Sequence, residues 1–454
     1  MWNNIDQDRH YLGQFQIEDE TIPGEILYNK KSGIIMLSLK RKIETIGKSF
    51  GKKPYITGEL NTGTVVTLFN TRCVKNHTEN FSLQHLHFLA DKMIFGKIED
   101  IDPRFNKMVC TVENALAWSG LSQVKDEFDQ ITICGLGDVP TYNWYGAKIR
   151  FRTDLKNDFW TTPRKEECKV VERLVIEIES TEKQPINYFI QIRNDIMALI
   201  SFAIKDNINI ESQSLYDYDI PCMIGPIESH REFILITNEP YHYLLNSSQF
   251  WYNFYLNQLP SDNDLSGKLT KLKPIFNLYL SLFKYEDMPA EMVFLNIVQA
   301  IETFHSRFFY KDKKKLYVQS VYDRFEKSVH FESLKKLLLC DTQMDENCNY
   351  IILVSRLNDL LIGKYDGLFY EFYGEDSEYA QRIADTRHYY THYGKSKEAK
   401  ALKGDDLLDA IEILRLLLEY NVCLVLGIDR REKTISSLRS YFAHKQLDKH
   451  QAGS

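Results

Sequence analysis

The densest chemistry in the chain lies near its C-terminal end, where Arg387-His388-x-x-x-His392 sets one guanidinium and two imidazoles within six residues. Asp385 to Tyr393 contains no helix breaker and Gly394 follows it, so a helix is expected whose last turn carries the motif. His388 and His392 are four apart and share a face, with Asp385 on roughly the same side; Tyr393 adds a phenol at the end. Arg387 and His392 are five apart, about 140° around an ideal helix. They converge on one ligand only if the helix unwinds near His392 or if two copies of it build one site. The chemistry such a group could support is metal-free cleavage of RNA. A neutral imidazole takes the proton of a ribose 2′-OH while arginine holds the non-bridging phosphate oxygens as charge builds on them. Histidine titrates near working pH and the planar guanidinium fork matches phosphate. DNA has no 2′-OH, so the reaction would select RNA. The rival reading is a solvated helix face that happens to carry two histidines.

The elements that must position these groups read as helices from about Lys271 onward. Expected segments are Lys271–Phe283, Ala290–Phe309 behind Met288-Pro289, one or two within Tyr317–Leu339, then Asn349–Ile362, the motif helix from about Ser377, and Asp405–Leu426. Val293, Ile297, Ile301 and Phe304 form an apolar stripe, and an up-and-down bundle of four to six helices is the economical arrangement. Glu302 and His305, three apart on that helix, could face the motif, with Glu302 the candidate fourth member of the site. Before the bundle the pattern is that of strands from Tyr11 to about Ile178. Hairpins are signalled by Asn29-Lys30-Lys31-Ser32 and Asn61-Thr62-Gly63, and further strands by Phe88–Ile98, Ile131–Cys134, Ala147–Arg152 and Glu172–Glu179, the last expected to keep one wet face. Glu113–Leu121 reads as a short helix with Trp118 in the core, Asn187–Ala203 as an amphipathic helix, and Ile208–Ile210 and Phe233–Ile236 as strands. The aromatic run Phe250–Leu256 reads as interdomain core, and Leu259–Gly267 as a linker. The fold class is therefore α+β: an antiparallel β-rich, sandwich-like domain over residues 1–265, an all-α bundle over 266–428, and a charged helical tail over 429–454.

Arg387-His388-x-x-x-His392 resembles the R-x4–6-H motif of HEPN ribonucleases, where a polar residue commonly follows the arginine. The region from Ala290-Glu291-Met292-Val293 to Leu426, with Asn296, Ala300, Glu302 and His305 on its opening helix, is similar to the ApeA-type HEPN domain. Ile22-Pro23-Gly24-Glu25-Ile26-Leu27 and Ile56-Thr57-Gly58-Glu59-Leu60-Asn61-Thr62-Gly63-Thr64-Val65-Val66-Thr67-Leu68 fit the opening pattern of that family's partner domain. The resemblance implies a metal-independent endoribonuclease that leaves a cyclic phosphate and a 5′-hydroxyl, and a homodimer through the HEPN domain. It also implies abortive defence against phage, with structured host RNA such as tRNA as target and the N-terminal domain as sensor of a phage-derived trigger or as restraint. Arg387 would hold phosphate, His392 would be base or proton shuttle, and His388 the second proton-transfer or phosphate contact. Asp385, Tyr393 and Glu302 would support them. No cofactor and no metal are expected.

Composition narrows the alternatives. With 454 residues, 44% of them hydrophobic, the chain has material for two or three cores. No apolar run reaches bilayer length and the N-terminal residues lack a basic-then-apolar signal, so a cytoplasmic protein is expected. Eight cysteines occur without a C-x-x-C pair and read as free core thiols. His85-x-His87 lacks an acidic or thiol partner at ligand spacing. The 27 basic and 27 acidic residues from Lys271 onward cancel, which leaves the net −7 on the first 270 residues. Any RNA binding must then use local patches, for which Lys311-Asp312-Lys313-Lys314-Lys315 is a candidate beside its reading as a solvated loop. Gly135-Leu136-Gly137 is followed by Asp138-Val139-Pro140 and opens no dinucleotide-binding helix. Two rivals to a nuclease remain: a non-catalytic module that clasps a nucleotide and dimerises, and a phosphoryl transferase. The missing Gly-rich phosphate loop and paired-carboxylate metal motif count against the second.

Overall fold

Both hairpins expected from turn residues are present. Asn29 Oδ1 accepts the Ser32 N–H at 2.7 Å and closes the turn between β2 (Glu20–Asn29) and β3 (Ile34–Lys42), with Gly33 at φ 70°. Gly63, at φ 79°, closes the turn between β4 (Lys52–Leu60) and β5 (Val65–Glu79). The computed structural model describes residues 9–42, 51–79, 83–98, 100–127, 130–133, 140–157, 170–218, 231–242, 252–260, 265–284, 287–309, 327, 352–363 and 377–452. The chain divides into two compact units: Met1–Met197 with Asn207–Leu244, and Ala198–Asp206 with Leu245–Ser454.

The first unit is an antiparallel sheet that is closed at one end and open at the other. β1 (Arg9–Ile17) lies between β2 and β4, β3 pairs with β6 (Leu83–Ala90), and β6 pairs back on the far half of β5. The order β5-β4-β1-β2-β3-β6 thus returns to β5 and leaves those strands no edge. Alternating residues fill the interior, among them Phe15, Ile26, Leu37, Leu68, Leu86 and Phe88. Gly58 lacks a Cβ because one would stand 2.3 Å from the Phe15 ring. The expected strand Phe88–Ile98 breaks at Asp91 into β6 and β7 (Lys92–Phe95): β6 keeps its outer edge on β3, whereas β7 takes β15 (Arg231–Thr237). At that break the barrel opens into the order β7-β15-β14-β8-β13-β12-β11, with β8 (Arg104–Val112), β11 (Thr141–Trp144), β12 (Ala147–Asn157), β13 (Val170–Pro185) and β14 (Ile210–Asp217). A separate hairpin joins β9 (Val124–Glu127) and β10 (Gln130–Ile133).

The face of β13 expected to be wet is partly closed. Glu177 is buried, its carboxylate held by Arg152 at 2.8 Å and Lys107 at 3.1 Å on the flanking strands. Burial raises its pKa, but those cations outweigh it and hold the carboxyl below the usual range. The expected helix around Trp118 is one turn, α1 (Leu116–Ser119), stopped by Gly120 at φ 67°, and Trp118 is buried against Phe151. α2 (Ile186–Ile204) follows β13 directly and is counted with the first unit as far as Met197 and with the second from Ala198.

The second unit is helical, so the β-rich antiparallel domain followed by helices is what the structure shows. α3 (Leu265–Lys284) starts inside the expected linker, because Leu265, Leu269 and Leu272 bury at helical spacing. α4 (Ala290–Phe308) packs against α3, against α5 (Leu353–Asn358), against α6 (Ser377–His392) and against α8 (Asp405–Leu426); a single turn, α7 (Lys395–Glu398), lies between the last two. α9 (Arg431–Ala452) buries Thr434 and Leu438, so its first half is part of this core. Tyr252, Phe254 and Leu256 are buried, Phe254 against Phe202 in the same unit. The expected helices within Tyr317–Leu339, the Lys311–Lys315 patch, Phe250, Trp251 and Gly135-Leu136-Gly137 lie outside the described residues, as do five of the eight cysteines. Cys73, Cys110 and Cys423 are free, and burial pushes the Cys110 thiol up to about 12 and Cys423 up to about 11.

At the centre of this unit the Glu419 carboxylate is fully buried. Lys205 Nζ lies 2.7 Å and Arg430 3.1 Å from Oε2, Tyr279 donates to Oε1 at 2.6 Å, and Arg415 stands at 3.8 Å. Burial opposes its charge, but the three cations prevail and hold the carboxyl far below the ordinary range. Removing one member of such a cluster strands the others without water. Glu419→Gln is therefore expected to cost about 3–5 kcal/mol in denaturant unfolding at neutral pH. Because the folded-state pKa is depressed, the difference from wild type should narrow as pH falls below about 4.3.

Candidate active site

α6 is anchored on one side and open on the other. Ala380, Ile383, Asp385, Thr386 and Tyr390 are buried, while His388 and His392 are exposed and Arg387 is half-buried. The chain after the helix folds back to hold it. Tyr390 Oη donates to the Leu402 carbonyl at 2.9 Å, and the Leu402 N–H donates to Thr386 Oγ1 at 3.0 Å. Asp385 Oδ1 accepts from Lys397 Nζ at 2.6 Å and from Gln381 Nε2 at 3.1 Å. Asp385 thus ties the following turn to the helix and is not paired with an imidazole.

The helix ends at His392, one residue before the end expected at Tyr393, and the terminating device differs. Tyr393, not Gly394, takes the left-handed conformation, at φ 50°, and Gly394 caps the next turn with φ −74°. The Tyr393 N–H returns to the Tyr389 carbonyl at 2.5 Å, and its ring meets that of Tyr389 edge-on at 5.5 Å between centroids. A non-glycine residue at positive φ carries a conformational cost that its surroundings must balance. Tyr393 is among the most exposed apolar-bodied side chains described, at 67%.

The structure brings the predicted residues together in two pairs. His388 and His392 have ring centroids 4.8 Å apart at 56°. Arg387 Nη2 lies 3.6 Å from Glu302 Oε2, an ion pair that links α6 to α4. Since α6 remains helical through His392, Arg387 and His392 keep the divergence that helix geometry imposes, and no unwinding lets them converge within one chain. His305 is not part of this arrangement. It is fully buried, stacked on Phe309 at 4.5 Å, with Nε2 2.9 Å from Asp359 Oδ2 and Nδ1 3.4 Å from Arg356 Nη1. Since arginine only donates, that network assigns the Nε2–H tautomer to His305.

Burial pushes the Glu302 carboxyl above the usual carboxylate range, and Arg387 and then Arg356 work against that. Arg356 is the neighbour that sequence reasoning missed. Its signal was present: a single guanidinium inside Ile351-Ile352-Leu353-Val354-Ser355-Arg356-Leu357 is buried with the apolar residues around it and needs anionic company there. His85, judged from spacing to lack an acidic partner, has one: strand register sets Glu79 Oε2 2.9 Å from its Nε2. Among the described residues no three His, Cys, Asp or Glu side chains form a group that could hold a metal ion, and no helix is long and apolar enough to cross a membrane.

A β-rich first domain followed by a helical domain whose surface helix carries R-x4-H defines a HEPN-containing protein. Residues 10–266 match the model of ApeA N-terminal domain 1, and residues 295–432 match that of the Apea-like HEPN domain. The chain belongs to the ApeA-type HEPN family, a family of defence effectors. No curated protein and no solved structure matches it.

The raised Glu302 carboxyl has a testable consequence. A group whose folded-state pKa is raised stabilises the fold below its ordinary value and loses that contribution as pH rises through the folded one. From about 4.3 upward, wild type should therefore lose stability relative to Glu302→Gln. Denaturant unfolding of both proteins across this range checks it, and a wild type that gains on the variant contradicts the assignment.

Proposed function

We propose that the chain is a metal-independent endoribonuclease that acts as a homodimer on structured host RNA, tRNA being the expected target, in abortive defence against phage. The observation that carries this reading is the open last turn of α6, where two exposed imidazoles stand beside a guanidinium held from behind by Glu302. His392 takes the proton from the ribose 2′-OH. The 2′-oxygen forms its bond to phosphorus, the bond to the 5′-oxygen breaks, and a protonated imidazole, His388 or His392, supplies the leaving oxygen's proton. Arg387 balances the charge on the non-bridging oxygens. Because Arg387 and His392 diverge on a regular helix, the reading needs two copies of α6 facing one phosphodiester, each giving what the other's geometry withholds. Loop nucleotides suit it, since unstacked residues can reach the in-line arrangement that a duplex forbids. Asp385 acts through the turn it anchors, and Tyr393 flanks the site. In this account residues 1–265 sense a phage-derived trigger, residues 266–428 cut, and 429–454 complete the helical domain.

One feature favours a second reading, a non-catalytic module that clasps a nucleotide: α6 stays helical through His392, so within one chain Arg387 can hold a phosphate that His392 does not reach. Incubation of the purified protein with total tRNA in chelator separates the two. The nuclease reading expects cleavage by wild type and a loss of about 10²–10⁴-fold in Arg387→Ala and His392→Ala. Tight nucleotide binding without cleavage, or variants that cut as wild type does, assigns the motif to binding instead.

A further inference from the structure

The barrel carries a cationic face that the proposed reaction does not use. Along β3, β6 and β5 alternate residues point out of the barrel, and the register aligns them in rows across the three strands. Lys40, His85 and His77 form one row; Ser38, His87 and Lys75 form the next. Lys42 and Arg72 extend the face at its two ends, and all four of Lys40, Lys42, Arg72 and Lys75 are exposed. Among the described residues none of these four makes an ion pair. The one acid in these rows, Glu79, is taken up by His85. Arg41, which alternation turns inward, is by contrast fully partnered by Gln84 and Glu20.

Lys40 and Lys75 each stand directly across from an imidazole, and Arg72 directly across from Lys52 on β4, and like charges set that close cost stability unless something neutralises them. Lys75 and His85 already push the imidazole of His87 below its ordinary value, after burial. The crowding stands out because the first 270 residues carry the chain's whole excess of acid. We propose that this face of β3, β6 and β5 binds the sugar–phosphate backbone of a single-stranded polynucleotide. Rows recur every second residue, about 7 Å along the strands, close to the separation of neighbouring phosphates on an extended strand. No Phe, Tyr or Trp stands in these rows, so contact is chiefly to phosphate, with little base preference and with strong salt dependence. An extended peptide would match that repeat only with an acid at every second residue, whereas a nucleic-acid backbone carries it in any sequence.

This proposal does not depend on the nuclease reading and is tested apart from it. In the full chain carrying Arg387→Ala, the anisotropy of fluorescein-labelled oligouridine is followed over a series of salt concentrations. Adding Lys40→Gln and Lys75→Gln should weaken binding about tenfold at about 0.1 M salt and reduce the slope of log K against log salt by about 1.4, two contacts at about 0.7 each. Lys53→Gln, on the neighbouring strand and paired with Glu18, should leave both unchanged. The proposal is overturned if the double variant keeps the affinity and slope of its parent. It is also overturned if polyglutamate displaces the RNA as effectively as unlabelled oligouridine does. Exposed lysines are tolerant positions, and an unaltered melting temperature shows that any loss is a loss of binding.

Discussion

A carboxylate with no access to water must be matched by cations, and in the helical unit that requirement falls on Glu419. Its partners come from the end of α2 (Lys205), from α3 (Tyr279), from α8 itself (Arg415) and from the start of α9 (Arg430). Apolar burial alone allows helices to slide against one another, whereas one buried charge with directional partners on three other segments admits a single register. α8 set in this way fixes α4 against it, and α4 carries Glu302 and packs against α6, the helix that bears the motif. Buried ion clusters are poor sources of net stability, because the cost of removing charge from water consumes the attraction, but they are strict about arrangement.

α4 holds two titratable groups one turn apart with opposite fates. His305 is enclosed, its ring nitrogens taken by Asp359 and Arg356, and it serves to seat α5. Glu302 remains at the edge of the core, raised by burial and tempered by two arginines. A guanidinium 3.6 Å from such a carboxylate is oriented without being locked, because the anion facing it is itself disfavoured in that environment. A phosphate arriving at Arg387, as the proposed reaction requires, would compete with a weakened rival. His388, next in the chain, and His392, a turn further on, have no such restraint and stay exposed toward the helix end, where the left-handed Tyr393 turns the chain back along α6.

Much of this was legible in the residues. The Asp405–Leu426 helix, the motif helix and the hairpins at Asn29–Ser32 and Asn61–Gly63 follow from local rules of capping, periodicity and turn chemistry, and the structure agrees with them. What escaped depends on partners distant in sequence. Closure of the barrel rests on β5 being long enough to pair with β6 as well as β4, and the division at Asp91 on a change of neighbouring strand; neither has a local signature. The charged residues of β13 read as solvent-facing because alternation cannot reveal that Arg152 and Lys107 flank Glu177 on the adjacent strands. At the site, spacing placed Asp385 on the side of the imidazoles but could not show Lys397 folding back to claim it.

The central claim is that a ribose 2′-OH, deprotonated at the end of α6, attacks the neighbouring phosphorus. The chemistry of the fragment ends is its most direct test, read on an RNA cut by the purified protein in chelator and on the same RNA with a 2′-deoxy nucleotide at the cleavage position. The account predicts 2′,3′-cyclic phosphate and 5′-hydroxyl ends from the first and no cleavage at that position in the second. Ends bearing 3′-hydroxyl and 5′-phosphate, or cleavage of the deoxy-substituted RNA at the same site, would contradict it.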